Sequence, residues 1–299
     1  MTATTTPTSS DPSAAPTSTG ISAVPLRSAT AASWATLGAL LSRDVTVLRK
    51  HLPEFVLRTL IQPLLLVFVF LYVFPKIGQS VGGGSGSGGD FATVLVPGVV
   101  GISVMFQGVQ AVALQLAQEF GFTREIEDRV QAPAPVWLVA VAKVLFGMVQ
   151  GLLAAVIVFP IAAVVHAPGV RADFSLHWAV ILTLLPLVCL AFSSLGLLLG
   201  CVFEPRNIGL MFGFIVLPIT FLGGTYYQWT RLAPVEVGGF HWLQVLTLVN
   251  PLMYANEGMR GAFTDISHMT FWGVYPALVA FSVGFLLVAL RAFRRRVLS

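Results

Sequence analysis

The stretch VWLVAVAKVLFGMVQGLLAAVIVFPIAAVV, residues 136–165, decides the fold. Its one charged residue is Lys143. A helix needs about 20 apolar residues to cross the hydrocarbon core of a bilayer. This run exceeds that length and leaves room for tilt. A helix that is apolar on every side belongs inside a large core or inside a membrane. The predicted fold class is therefore all-α integral membrane.

Outward from that run, five more apolar stretches read as spans, at about 59–74, 91–116, 176–203, 208–226 and 271–290. Six transmembrane helices use most of the 299 residues. The composition agrees. Charged residues make up 10% of the chain, against about a quarter in soluble domains, and the mean hydropathy is +0.85. Residues 1–33 are rich in Thr, Ser, Pro and Ala. They lack the basic start and apolar run of a secretory signal, so a disordered tail is expected there. Residues 34–299 form the membrane domain. Within 34–58, Trp34, Leu37, Leu41, Val45 and Leu48 recur at spacings of three and four, interrupted by Arg43, Asp44, Arg49 and Lys50. That pattern predicts an N-terminal amphipathic helix lying at the membrane interface.

The formal net charge is +4. The basic residues flank apolar spans, so they orient the chain in a membrane and do not point to nucleic acid. Thirteen of the seventeen lysines and arginines fall on the side shared by the N-terminal segment, the loops near 118–135 and 204–207, and the C-terminal tail; the other four are Lys76, Arg171, Arg231 and Arg260. The richer side is cytoplasmic. Both termini are then cytoplasmic, and the arginines at 291–296 act as a stop-transfer flank.

Two connections have functional character. Loop 118–135 is the charge-dense interior loop, and it holds Glu119, Gly121, Arg124, Glu125, Asp128, Arg129 and Pro133. Gly121 and Pro133 are expected to bracket a short helix. Glu125 and Arg129 are placed to pair across one turn, and Ile126 and Val130 give the helix an apolar stripe. Such an element at a membrane face suits docking of a soluble partner. The second connection, 228–263, is too apolar for a loop in water. It predicts two short helices that dip into the outer leaflet and return, with Asn250-Pro251 as the turn and Tyr254 and Arg260 beyond it. A seventh span is rejected because Asn250, Pro251, Asn256, Glu257 and Arg260 interrupt it, and because it would place the arginine tail outside. Tyr226, Tyr227, Trp229 and Trp242 read as interfacial anchors.

Ionisable residues are nearly missing from the spans. Lys143 is expected to snorkel to the cytoplasmic surface. Ion-coupled transport needs carboxylates or histidines at mid-membrane, and no histidine has a partner at metal-ligand spacing. The glycine-rich run VGGGSGSGGD, residues 81–90, lacks the Lys-Ser or Lys-Thr of a phosphate-binding loop. The sequence thus predicts no catalytic residues, no metal and no cofactor of its own, and a partner that supplies energy. Cys189 and Cys201 are twelve apart on one helix, too far for a disulfide. Gly147/Gly151, Gly196/Gly200 and Gly209/Gly213 are small-residue pairs that permit close helix packing.

Three segments carry a family resemblance. RKHLPEF (49–55) runs into QPLLLVFVFLYVF (62–74); REIEDRVQAP (124–133) follows Gly121; and NPLMYANEGMR (250–260) precedes the last span. In this order they resemble the membrane subunit of an ABC-2-type exporter, in the daunorubicin-resistance permease branch. The resemblance implies a bacterial cell-membrane permease, multi-pass, that pairs with a second copy of itself or a related permease. It implies a cytosolic ATP-binding-cassette subunit that binds the ATP and docks on about 119–133. The implied cargo is a hydrophobic or amphipathic drug or lipid, moved outward among membrane lipids. Two other readings are a polysaccharide or glycolipid exporter subunit of the same family, and a membrane anchor or assembly protein that moves nothing.

Overall fold

The structure, a computed structural model, describes residues 29–77, 88–123, 135–168, 172–236 and 239–298. The predicted tail falls outside them except for 29–33, which are already helical at the start of α1 (Ala29–Lys50). The glycine-rich run up to residue 87 and loop residues 124–134 also lie outside the described residues.

Among the described residues, six helices are long and apolar enough to cross a membrane. They are α2 (Leu52–Lys76), α3 (Gly88–Gln118, prolonged by a π-helical turn Glu119–Thr123), α4 (Val136–Val164), α5 (Trp178–Val202), α6 (Pro205–Leu222) and α9 (Phe271–Leu298). Two short helices, α7 (Trp242–Leu248) and α8 (Pro251–Phe263), stand before the last span.

The first span corrects the sequence reading. The amphipathic segment does not run to Arg58; it ends at Lys50, and α2 begins at Leu52. His51 leaves the helical region with φ −106° and ψ 21°, and Pro53 sits in the first turn of α2, where its missing N–H costs nothing. Pro63 consequently lies inside the span and not near its start. A π-helical run at Phe68–Val73 follows it. There the Leu71 carbonyl accepts the Ala167 N–H at 2.9 Å, so the irregular turn is served by the loop after α4. On α1, Leu37 packs with Leu138 and Ala142 of α4, whereas Trp34 is 73% exposed. The apolar stripe is therefore shared between a helical neighbour and the surroundings.

The core is built around α3. It packs most closely on α5 and α4, through glycines that bring backbones together. A Cβ at Gly196 would stand 2.8 Å from the Val109 carbonyl oxygen, and one at Gly108 would stand 3.1 Å from the Phe192 Cβ. Gly147 and Gly151 do the same between α4 and α5, facing Ser193 and Cys189. Gly209 and Gly213 on α6 differ: nothing lies within 4 Å of a Cβ at either. Two of the three small-residue pairs are thus used inside the chain and the third is not. A side-chain bond from Gln107 Nε2 to Thr59 Oγ1 ties α3 to α2 within the apolar interior. Both cysteines are free and buried.

Candidate functional site

Buried polar residues interrupt the apolar bundle at each end. At the hairpin end, α8 is buried along nearly its whole length, with Tyr254 only partly covered. The Asn250 Oδ1 accepts the Leu252 N–H at 2.9 Å as an N-cap, and Pro251 opens the helix. The Asn250 amide also donates to the Ile219 carbonyl at 2.8 Å, binding the hairpin turn to α6. The turn predicted at Asn250-Pro251 is where the chain makes it.

Inside α8 lies an ion pair that the sequence did not reveal. Arg260 Nη1 donates to Glu257 Oε1 at 2.8 Å, and both side chains are 0% exposed. The remaining valences are nearly all met. Arg260 Nη2 donates to the carbonyls of Gly224 and Thr225, and its Nε reaches the Val94 carbonyl of α3 at 3.4 Å. Glu257 accepts the Trp229 N–H at 2.9 Å and the Met269 N–H at 2.8 Å. Beside it, Asn256 donates to the Gly223 carbonyl at 2.7 Å and to Thr225 Oγ1 at 3.0 Å. One turn of helix therefore holds α3, the turn after α6, the start of the Trp229 segment and the segment before α9. Gly224 adopts φ +66° there, a backbone region that glycine enters freely, and this turns its carbonyl region toward Arg260. Glu257 was read only as a polar residue that breaks a seventh span. Its spacing of three from Arg260 was the available signal.

Aromatic residues of this region bond and pack within the chain. Trp229 and Gln244 exchange hydrogen bonds at 3.4 and 3.2 Å, and the Tyr226 ring lies 5.5 Å from that of Phe70. Burial raises the phenol pKa of Tyr226 and of Tyr227 above the ordinary tyrosine value.

At the opposite, basic end, the charged loop itself (Arg124, Glu125, Asp128, Arg129 and Pro133) lies outside the described residues. Its approach is described, and it corrects two expectations. Gly121 does not stop the helix: α3 continues through it as a π turn to Thr123, with a Cβ there only 2.8 Å from Pro205. Lys143 does not snorkel. It is 2% exposed and paired with Glu119, which is 4% exposed. A buried ammonium is stable only when it is paired, and the partner 24 residues earlier keeps the side chain turned inward.

Among the described residues, five apolar spans around the central α3, an amphipathic helix before them and the buried α8 before the last make a polytopic membrane protein. The profile of the ABC-2 type transporter family matches residues 36–264. The chain belongs to that family, as the membrane subunit type of transporter. It is 30% identical over 244 residues to the inner membrane transport permease YadH of Escherichia coli (strain K12), covering 80% of this chain and 88% of the relative. The same permease in Escherichia coli O157:H7 and in Shigella flexneri matches equally.

Proposed function

We propose that the chain is the permease half of an ATP-driven exporter in a bacterial inner membrane, with both termini cytoplasmic. It moves hydrophobic or amphipathic compounds, drug or lipid, outward. A separate cytosolic ATP-binding-cassette subunit supplies the energy and docks on residues 119–133. The family match over 36–264, which includes that loop, carries this reading. The relatives' description as inner membrane transport permeases supports it. The charge pattern of the loop supplies the docking chemistry. The outer hairpin is read as re-entrant: its fully buried ion pair needs the surrounding backbone as solvent, as polar groups within a membrane do.

Co-purification tests the partner. The tagged chain, expressed in its native host, is expected to retain a cytosolic ATP-binding-cassette protein through detergent extraction. Arg124→Glu with Arg129→Glu is expected to cut the captured ATPase by about ten-fold, as reversal of interfacial charges commonly does, at unchanged permease yield. Undiminished capture would sink the docking assignment.

A second copy of the chain has a place to pack. Gly209 and Gly213 form the small-residue pair left open by the fold, beside the exposed Leu210 and Phe214. Helices bearing such pairs associate closely in membranes. Gly209→Leu with Gly213→Leu is expected to shift the chain from dimer to monomer in single-molecule photobleaching, while its thermal unfolding midpoint stays put. A dimer fraction equal to that of the unmodified chain would exclude this face.

A further inference from the structure

The four arginines of the C-terminal helix are not equivalent. Arg291, Arg294 and Arg295 are exposed, as a charge flank requires. Arg296 is turned inward. Its Nη1 donates to the carbonyls of Gly200, Cys201 and Phe203, at 3.1, 2.7 and 2.8 Å. These are orphan acceptors at the C-terminus of α5, at the negative end of its dipole. The guanidinium carbon lies over the ring of Phe120, 4.6 Å from its centroid, and that ring packs on Phe293 of α9 at 6.2 Å.

Phe120 stands between two other gripped residues. Glu119 is paired with Lys143 of α4, and Gly121 lies against Pro205, the first residue of α6. Three consecutive residues therefore fasten the end of α3 to four other spans: α4 through Glu119, α5 and α9 through Phe120 and Arg296, and α6 through Gly121. The arginine-bearing part of the charged loop begins at Arg124, three residues later.

We infer that Arg296 is a positioning residue for energy coupling: it fastens residues 119–121 to the ends of α5 and α9, so that force on the charged loop reaches all four spans as one displacement. This deepens the proposed function and rests on the loop being the ATPase dock. A purely orienting cation would serve equally as lysine. The clamp would not, because only a planar guanidinium can cover a ring with its face while its edge donates to carbonyls.

Arg296→Lys keeps the charge and isolates the clamp, with Arg294→Lys as control. In the full chain in lipid nanodiscs, without partner or substrate, amide hydrogen exchange across 119–123 is expected to accelerate by about ten-fold in Arg296→Lys and to stay unchanged in the control. In the complex with its ATPase in inside-out vesicles, doxorubicin serves as the amphipathic probe. Capture and ATP hydrolysis are expected to persist in Arg296→Lys, while probe uptake per ATP hydrolysed falls by about ten-fold. Joining Phe120→Cys to Phe293→Cys with a short bifunctional thiosulfonate is expected to restore both readouts in the Arg296→Lys chain. A merely structural arginine would lower yield without changing the ratio of uptake to hydrolysis. Unchanged exchange in Arg296→Lys overturns the clamp. Faster exchange with an unchanged uptake ratio overturns its part in coupling. Failure of the unmodified chain to capture the ATPase is read before any variant, and it overturns the docking reading and the coupling role together; the exchange result alone then decides the fastening.

Discussion

Arg260→Met is expected to cost the fold about 3–5 kcal/mol, the usual penalty for removing one partner of a buried ion pair. The substitution leaves the Glu257 carboxylate fully enclosed without its counter-charge, and it removes the donors that serve Gly224, Thr225 and Val94. Unfolding in mixed micelles, followed by tryptophan fluorescence, measures the loss. The companion variant Glu257→Gln with Arg260→Met is expected to recover part of it. The glutamine oxygen still accepts one of the two N–H groups held by Glu257, and no charge remains buried. A single variant within about 0.5 kcal/mol of the unmodified chain, the range of an ordinary surface substitution, would show that the pair does not hold the hairpin.

The second large effect concerns the α3–α5 contact. Gly196→Leu places a Cβ 2.8 Å from the Val109 carbonyl oxygen and 2.9 Å from the Val109 Cα. Both are backbone atoms of a helix that cannot yield locally, so α3 and α5 must separate along their length. Overpacking of this kind costs about 3 kcal/mol, at the upper end of the usual range. The expected result is a loss of folded chain by fluorescence-detected size exclusion. Gly284→Leu, where nothing lies within 4 Å of a Cβ on α9, is expected to leave the same profile unaltered. Equal behaviour of the two variants would mean that the glycines between α3 and α5 are incidental.

These two sites show how far the sequence could be read. The spans were legible because a membrane-crossing helix announces itself by length and apolarity, as residues 136–165 do. The break at Asn250-Pro251 was legible because a cap and a helix-opening proline are local chemistry. The long-range polar pairs were not. Lys143 alone suggests a snorkelling side chain; Glu119, 24 residues earlier, turns it inward. Arg296 in a run of arginines reads as a flank, because its targets at Gly200 to Phe203 lie more than ninety residues away. Periodicity reports which face is apolar, and it is silent about which polar group on another helix completes a buried one. The start of α2 was misplaced: Glu54 and Arg58 fall inside the 34–58 segment read as interfacial, yet they occupy the first two turns of the span itself.

The bond from Arg260 to Val94 joins residues 166 positions apart. Synthesis runs from the N-terminus, so α3 is made before the residues of α8 exist. During that interval the slot that α8 later fills is lined by α3 and α5 without their polar partner. Closure waits until Met269 has emerged to supply its N–H to Glu257. The bonds that tie α8 to α3 and to the segment before α9 can therefore be completed only after residue 269 has been made.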